Sequence, residues 1–144
     1  MTQDFLPFIH SVHMRAVPGI GAWVGMSPGD LLLRIGVMPQ YLLVSTTADS
    51  RESAADLLRS AVRERLAASG QVFGPALSAF WHLGELGEGE EWQILLKTEA
   101  SRYPELKAHL IEKHPWDNPE VTAFKIEDGS APYLEWISRA TARG

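Results

Sequence analysis

The chain has 144 residues, of which 45% are hydrophobic and 22% are charged, a composition typical of one globular domain. Its formal net charge of -5 argues against nucleic acid as a partner, because no basic surface is available to replace phosphate counterions. The absence of cysteine excludes disulfides, thiolate metal sites and cysteine nucleophiles. No apolar run approaches the roughly 20 residues that span a bilayer, so no membrane segment is expected.

Residues 1–37 differ in composition from residues 38–144. The first segment has few charged residues and is rich in glycine and proline, as in "AVPGIGAWVGMSPGD". It shows no sustained period of 2 or 3.6 residues, so we predict an irregular N-terminal extension followed by one domain over 38–144. The start "MTQDF" lacks the basic residues and the continuous apolar core of a secretory signal, and we therefore expect a cytoplasmic protein.

The domain is predicted to begin with a strand and a helix. "YLLVST" (41–46) is a short apolar run of the strand type. In the "ADSRE" that follows, Asp49 can cap a helix while Glu52 reaches back to it. An apolar residue every four positions then predicts one buried helix face, and Gly70 is a suitable helix stop. The residues of this predicted face are Ala54, Leu58, Val62 and Leu66.

A long hairpin is predicted next. "QVFGPALSAFWH" (71–82) is β-prone, and its Gly74-Pro75 step predicts an edge strand or a bulge. "GELGEGEE" is typical of a glycine-rich acidic turn. "WQILLKT" (92–98) alternates apolar residues on one face and is predicted to be the second strand of the hairpin.

A helix, a strand and a last helix complete the predicted domain. The second helix begins near Ser101 and ends at Pro115, because a residue before proline avoids the α region. "VTAFKIE" (121–127) is the fourth strand, and Ser130 can cap the last helix. The order β-α-β-β-α-β-α predicts an α+β fold in the split βαβ arrangement, an antiparallel four-stranded sheet with two helices on one face. Because "YLLV" and "ILL" are apolar on both sides, oligomerisation through the sheet or its edges is expected.

Several segments of the domain, taken in order, are similar to one protein family. They are "STTADSRESA", "RERLAA", "SAFWHLGEL", "ILLKT", "KHPWDNPE" and "APYLEWI". On these segments, which span about residues 40–141, the chain resembles the CutA family of divalent-cation tolerance proteins. The resemblance implies a ferredoxin-like subunit and a homotrimer in which long hairpins pair between subunits. It also implies a non-enzymatic role in metal tolerance, with Cu(II) or another divalent cation as a ligand that folding does not require.

The copper site that the resemblance implies is altered in this chain. The position of a cysteine near the end of the first strand is occupied by Thr46, and that of the first of two histidines by Lys113, so that His114 alone remains. Threonine and lysine are poor replacements in a Cu(I) thiolate site. We predict His114 and His82 as the metal-ligating candidates. The alternative for His114 is a structural role, in which its ring bonds a backbone carbonyl.

A further set of side chains is predicted to line a cleft between subunits. These residues are Lys97, Trp116, Glu120, Trp81 and Glu85. They support an alternative function, a sensor similar to the PII signalling proteins that binds a small anionic ligand through Lys97 and His114. An uncharacterised hydrolase or lyase using the same cleft is a third hypothesis, although the sequence has no Gly-rich phosphate loop, G-x-S-x-G or H-E-x-x-H motif. The structural alternatives are a rigid turn for "PWDNPE" and a solvated turn for the glutamates.

Overall fold

Four strands and three helices follow one another in residues 38–144, the part of the chain that this computed structural model describes. The prediction for residues 1–37 lies outside the described residues. The elements are β1 (Tyr41–Ala48), α1 (Arg51–Arg63), β2 (Ser69–His82), β3 (Glu85–Glu99), a 3-10 turn (Ala100–Arg102), α2 (Tyr103–Lys113), β4 (Thr122–Ile126) and α3 (Ala131–Ala140). Their order confirms the predicted β-α-β-β-α-β-α succession.

The strands form one antiparallel sheet in the order β2-β3-β1-β4. Strand β1 lies inside the sheet, where Tyr41 is opposite both Glu99 of β3 and Ile126 of β4. Each crossover, β1-α1-β2 and β3-α2-β4, joins two strands that have one other strand between them. This is the split βαβ arrangement predicted from the element order.

The main core lies between one face of the sheet and helices α1 and α2. Alternate residues of a strand point to the same face. Val44 of β1 and Leu96 of β3 are therefore on one face, and they join Leu57 of α1 and Leu106 and Leu110 of α2 in a single buried cluster. Burying each such side chain contributes about 1.5–3 kcal/mol of hydrophobic stabilisation. The cluster holds both crossover helices against the sheet.

Helix α3 lies on the opposite face of the sheet. The Tyr41 hydroxyl is 2.7 Å from Ser138 Oγ of α3, and Lys97 Nζ is 5.6 Å from the centre of the Tyr133 ring. Tyr41 and Lys97 occupy odd positions of their strands and Val44 and Leu96 even ones, so the two pairs face opposite sides. One short helix covers only part of this second face, and Phe124 of β4, opposite Leu43, remains exposed.

The start of α1 differs from the prediction by one residue. The N-cap is Ser50 and not Asp49, because Ser50 Oγ accepts a hydrogen bond from the Ser53 amide at 3.1 Å. Both residue types are good caps, so the sequence alone does not separate them. The buried helix face also differs from the one predicted: Leu58 and Val62 are only partly buried. The buried residues of the helix are Ala54, Leu57 and Ala61.

The end of α1 comes earlier than predicted. The helix ends at Arg63, and Arg65, two residues later, has a φ of 57°. The predicted stop, Gly70, instead lies in β2. A Cβ atom on Gly70 would be 2.5 Å from Leu58 Cδ1 and 2.6 Å from the Leu95 carbonyl oxygen. The glycine is therefore required for close packing of α1 on the sheet rather than for ending the helix.

The hairpin has a shorter turn than predicted. Only Leu83 and Gly84 connect the strands, with φ values of 51° and 81°, as in a type I′ turn. "ELGEGEE" belongs to β3, so the predicted acidic turn was wrong: pairing with β2 provides the backbone hydrogen bonds that its composition does not suggest. The register shifts between Phe73 and Ala76, which confirms the bulge predicted at Gly74-Pro75.

The outer half of the hairpin, residues 76–91, extends past the rest of the sheet, and we call it the hairpin arm. Strand β1 pairs with residues 92–99 of β3 only. Residues 85–91 therefore have β2 as their single neighbouring strand within the described part of the chain. The large apolar side chains exposed on the arm are Leu77, Phe80, Trp81, Leu83 and Leu86.

Candidate functional site

The end of helix α2 places His114 next to the last residues of β1. The helix ends at Lys113, and His114 is its C-cap residue with an extended backbone, as expected before Pro115. The side chain packs inward, and the residue is only 8% exposed. A histidine predicted as either a ligand or a structural residue is thus buried at the junction of a helix, a strand and a proline turn.

Both ring nitrogens of His114 have hydrogen-bond partners. Nε2 is 2.7 Å from the Thr47 carbonyl oxygen, and Nδ1 is 3.0 Å from the Trp116 amide nitrogen. A carbonyl oxygen can only accept, so Nε2 carries the proton and donates it. A backbone amide can only donate, so Nδ1 is the unprotonated acceptor. These two backbone partners define a neutral ring with its proton on Nε2.

Trp116 is held in the same junction. Its ring centre is 5.0 Å from that of His114, with the two planes tilted by 46°. The Trp116 side chain is partly buried, whereas Glu120, farther along the turn, is exposed and within 3.4 Å of the Thr122 hydroxyl. Of the predicted cleft residues, Trp116 is therefore brought to His114, and Glu120 is left on the surface.

His82 lies far from His114 within one chain. It is exposed at the tip of the hairpin arm, in register with Glu85. His114 bonds the carbonyl of Thr47, which is opposite Gln93 of the same strand β3. Eight residues of β3 separate Glu85 from Gln93, a distance of about 26 Å along an extended strand. The two histidines do not share a site in a single chain.

Lys97 and Trp81 occupy two further regions of the molecule. Lys97 is directed to the α3 side of the sheet, where its ammonium group lies above the Tyr133 ring. It is four residues along β3 from Gln93, or about 13 Å, so it does not approach His114 in one chain. Trp81 lies on the hairpin arm and is 76% exposed. The predicted cleft residues are therefore dispersed over a single chain rather than gathered in it.

Thr46 and Lys113, which occupy the positions of the implied cysteine and first histidine ligands, lie in different surroundings from each other. Thr46 is on the helix side of β1 and has no exposed surface. Its hydroxyl has no hydrogen-bond partner among residues 38–144. Lys113 lines an open cavity of about 360 Å³ between α1 and the end of α2, together with Ser53, Asp56 and Ser60. Thr46 is thus inaccessible to a metal ion, and Lys113, although exposed, is not a soft metal ligand.

Metal donors do not converge elsewhere in the described residues. Between residues 38 and 144, no group of three or more His, Asp or Glu side chains is close enough to hold a metal ion. The donor set of residues 38–144 does not fit the copper site implied by the resemblance. In the same residues, no helix is long and apolar enough to cross a membrane.

Two polar clusters of the structure were not predicted from the sequence. Ser60 Oγ of α1 is 2.6 Å from His109 Nε2 of α2. Arg102, which is largely buried, bonds Glu105 at 3.1 Å, and Glu105 also contacts Arg143 after α3. Only the i, i+3 spacing of Arg102 and Glu105 was visible in the sequence. The other contacts join residues that are distant in the chain.

The sheet order, the crossover helices and the long hairpin define an α+β protein of the ferredoxin-like class. Comparison with known proteins then gives the family. The family model described as CutA1 divalent ion tolerance protein matches residues 42–140, which is more than half of the sequence. The chain belongs to the CutA1 divalent ion tolerance family, as the resemblance of its segments indicated.

Relatives and solved structures agree with this assignment. The chain is 33% identical over 99 residues to the divalent-cation tolerance protein CutA of Thermus thermophilus, a match that covers 69% of this chain and 96% of that protein. It is 32% identical over 100 residues to the CutA homolog of Danio rerio, covering 69% and 67%. The solved structure of Thermus thermophilus Cut A1 aligns with a TM-score of 0.69 at 32% identity, covering 71% of this chain and 99% of that one. CutA from Xylella fastidiosa aligns with a TM-score of 0.69 at 30% identity, covering 71% and 98%.

Proposed function

We propose that the chain acts as a homotrimeric, non-enzymatic divalent-cation tolerance protein of the CutA type. Membership of the CutA1 family supports the tolerance role. The observation that carries the assembly is the hairpin arm, which has few packing partners among residues 38–144. Its large apolar side chains are exposed, and an apolar surface of this kind is typical of a protein interface.

The unpaired strand edges support the same assembly. In the described part of the chain β2 and β4 are the two edges of the sheet, and residues 85–91 of β3 form a third free edge. Free edges present unpaired N–H and C=O groups that a second strand can bind. When one edge of each subunit pairs with a different edge of the next subunit, the subunits form a closed ring if the rotation between neighbours closes. The smallest such ring larger than a dimer has three subunits.

The assembly is tested by the mass of the native protein and by two matched variants. We expect a mass of three times 15.9 kDa by light scattering or native mass spectrometry. Trp81→Glu places a charge on the arm and should give the monomer, because a buried unpaired charge at an interface is costly. Ile111→Glu, which changes an exposed apolar residue of α2, is the control and should stay trimeric. A wild-type monomer would refute the homotrimer.

For the metal contact we propose His82 and Glu85 at the tip of the arm. They are opposite each other in the hairpin register and both exposed, and cross-strand neighbours of this kind share one face of the sheet. An imidazole nitrogen and a carboxylate oxygen are both common ligands of Cu(II) and of other divalent cations. Two protein ligands make a weak, exchangeable site, which suits tolerance better than permanent storage.

Calorimetric titration of the assembled protein with Cu(II) tests this contact. His82→Gln should weaken binding at least roughly tenfold, the loss expected when a ligand is removed. Glu85→Gln should weaken it less, since the amide oxygen keeps a donor but loses the charge. Ser78→Ala, at another arm position that carries no metal donor, should leave binding unchanged. If His82→Gln binds Cu(II) as tightly as the wild type does, the metal binds elsewhere. That result would not affect the trimer proposal.

A further inference from the structure

The histidine that the family resemblance assigns to copper is already fully occupied in this chain. His114 Nε2 donates to the Thr47 carbonyl at 2.7 Å, and Nδ1 accepts from the Trp116 amide at 3.0 Å. A metal ion binds imidazole through an unprotonated nitrogen with a free lone pair. Neither nitrogen of His114 offers one without the loss of an existing hydrogen bond.

Metal binding at either nitrogen would leave a backbone group without its partner. A metal on Nδ1 would displace the Trp116 amide, and a metal on Nε2 would displace the proton that bonds Thr47. His114 is buried and Thr47 and Trp116 are partly buried, and a backbone polar group shielded from water without a partner destabilises the fold. The two other positions of the implied site, Thr46 and Lys113, supply no compensating ligand.

We infer that His114 is a positioning residue that joins three segments and not a metal ligand. Through Thr47 it holds the end of β1, through its own backbone it ends α2, and through the Trp116 amide it orients the turn that enters β4. A neutral histidine suits this role because it places one donor and one acceptor on different sides of a rigid ring. The inference concerns the junction alone and does not depend on where the cation binds.

The ring nitrogens can be observed directly by nitrogen-15 NMR of the assembled protein. In the wild type, His114 should show a protonated Nε2 and an unprotonated, hydrogen-bonded Nδ1. Addition of Zn(II), a diamagnetic probe, should leave both resonances of His114 in place. A Zn(II)-dependent shift of either His114 nitrogen to a metal-bound value would overturn the inference, and this test requires no variant.

Two substitutions separate positioning from ligation. His114→Gln retains an amide but cannot reach both partners from one end of the side chain, so we expect a lower melting temperature with a Cu(II) affinity within about twofold of wild type. His109→Gln, a histidine on the same helix bonded to Ser60, is the matched control. A folded His114→Gln trimer with at least roughly tenfold weaker Cu(II) binding would show ligation. If that variant does not fold, the wild-type NMR experiment still decides.

Failure of this inference is distinguishable from failure of the proposed metal contact. Loss of Cu(II) binding in His82→Gln with an unchanged His114 ring supports both. Unchanged binding in His82→Gln together with an unchanged His114 ring refutes the arm contact and supports the positioning role. A metal-bound His114 ring refutes the positioning role, whatever His82 does.

Discussion

Thr46 and Thr98 are the same residue type in the same buried surroundings, yet they differ in hydrogen bonding. Both have no exposed surface and occupy even positions on the helix side of the sheet. The Thr98 hydroxyl donates to the Leu66 carbonyl at 2.7 Å. The Thr46 hydroxyl has no partner within residues 38–144. The two positions provide a matched pair for measuring the cost of an unpaired hydroxyl.

We predict that Thr46→Val and Thr98→Val change stability in opposite directions. Removing the unpaired hydroxyl of Thr46 should raise the free energy of unfolding by about 1 kcal/mol, because the desolvation cost of the hydroxyl is removed. Thr98→Val should lower the free energy of unfolding by about 1–2 kcal/mol, since the Leu66 carbonyl then loses its donor. Urea unfolding at one protein concentration measures both. A destabilised Thr46→Val would show that its hydroxyl is satisfied in solution.

The role of His114 was predictable only in part. Its position before a proline at the end of a helix indicated a C-cap residue, and a bond to a backbone carbonyl was the structural alternative. The identity of that carbonyl, Thr47, was not predictable, because it lies 67 residues away in the sequence. The second partner, the Trp116 amide, depends on the path of the turn after Pro115. Local patterns therefore locate the residue but not the contacts that define its chemistry.

Helix α1 shows how one element depends on a single side chain at its start. The Ser50 hydroxyl accepts the Ser53 amide, one of the amides that have no partner within the helix. Asp49 is exposed and lies just before the cap position. The cap was predicted one residue too early because aspartate and serine are both favoured there and only the backbone conformation of Ser50 decides.

We predict that Ser50→Ala lowers the free energy of unfolding by about 1 kcal/mol, since the Ser53 amide loses its acceptor. Asp49→Ala is the control, and its effect should stay within about 0.5 kcal/mol, as for an exposed residue outside the helix. Thermal or urea unfolding at matched protein concentration checks both variants. A larger loss of unfolding free energy for Asp49→Ala than for Ser50→Ala would show that Asp49 is the N-cap residue, as predicted from the sequence.

The tight packing of α1 on the sheet leads to a second prediction for the elements. Gly70→Ala would bring a methyl group within 2.6 Å of the Leu95 carbonyl oxygen, which is backbone and cannot simply rotate away. We expect a loss of about 1–3 kcal/mol in the free energy of unfolding, the usual cost of overpacking. Gly144→Ala, outside the hairpin arm and with no atom within 4 Å of the added carbon, is the control and should be nearly neutral. Equal effects of the two variants would contradict the packing argument.

At the scale of the whole molecule, element order and sheet topology were predictable, whereas the length of the hairpin was not. Strand alternation and helix periodicity depend on which residues face the core, and both were visible in the sequence. The outer part of β3 has no such core face, because neither α1 nor α2 covers the arm. Its glycines and glutamates therefore resembled a turn, although pairing with β2 makes them a strand.

Hydrogen exchange should report whether the arm is paired in the native protein. In the assembled wild type we expect the amides of residues 85–91 to exchange slowly, because a strand of another copy would protect the free edge. In Trp81→Glu, these amides should exchange faster while residues 92–99 of the same strand stay protected by β1. Ile111→Glu should match the wild type. Identical exchange in all three proteins would show that the edge is not an assembly surface.

The position of β1 inside the sheet has a consequence for synthesis of the protein on the ribosome. Domains generally fold as units from the N-terminal side as the chain is made. Here the first strand of the domain needs partners that are made later: Tyr41 pairs with Glu99 and with Ile126, and its hydroxyl bonds Ser138 of the last helix. The apolar "YLLV" segment therefore lacks its strand partners until β3 and β4 have been synthesised, and it is exposed to aggregation during that interval.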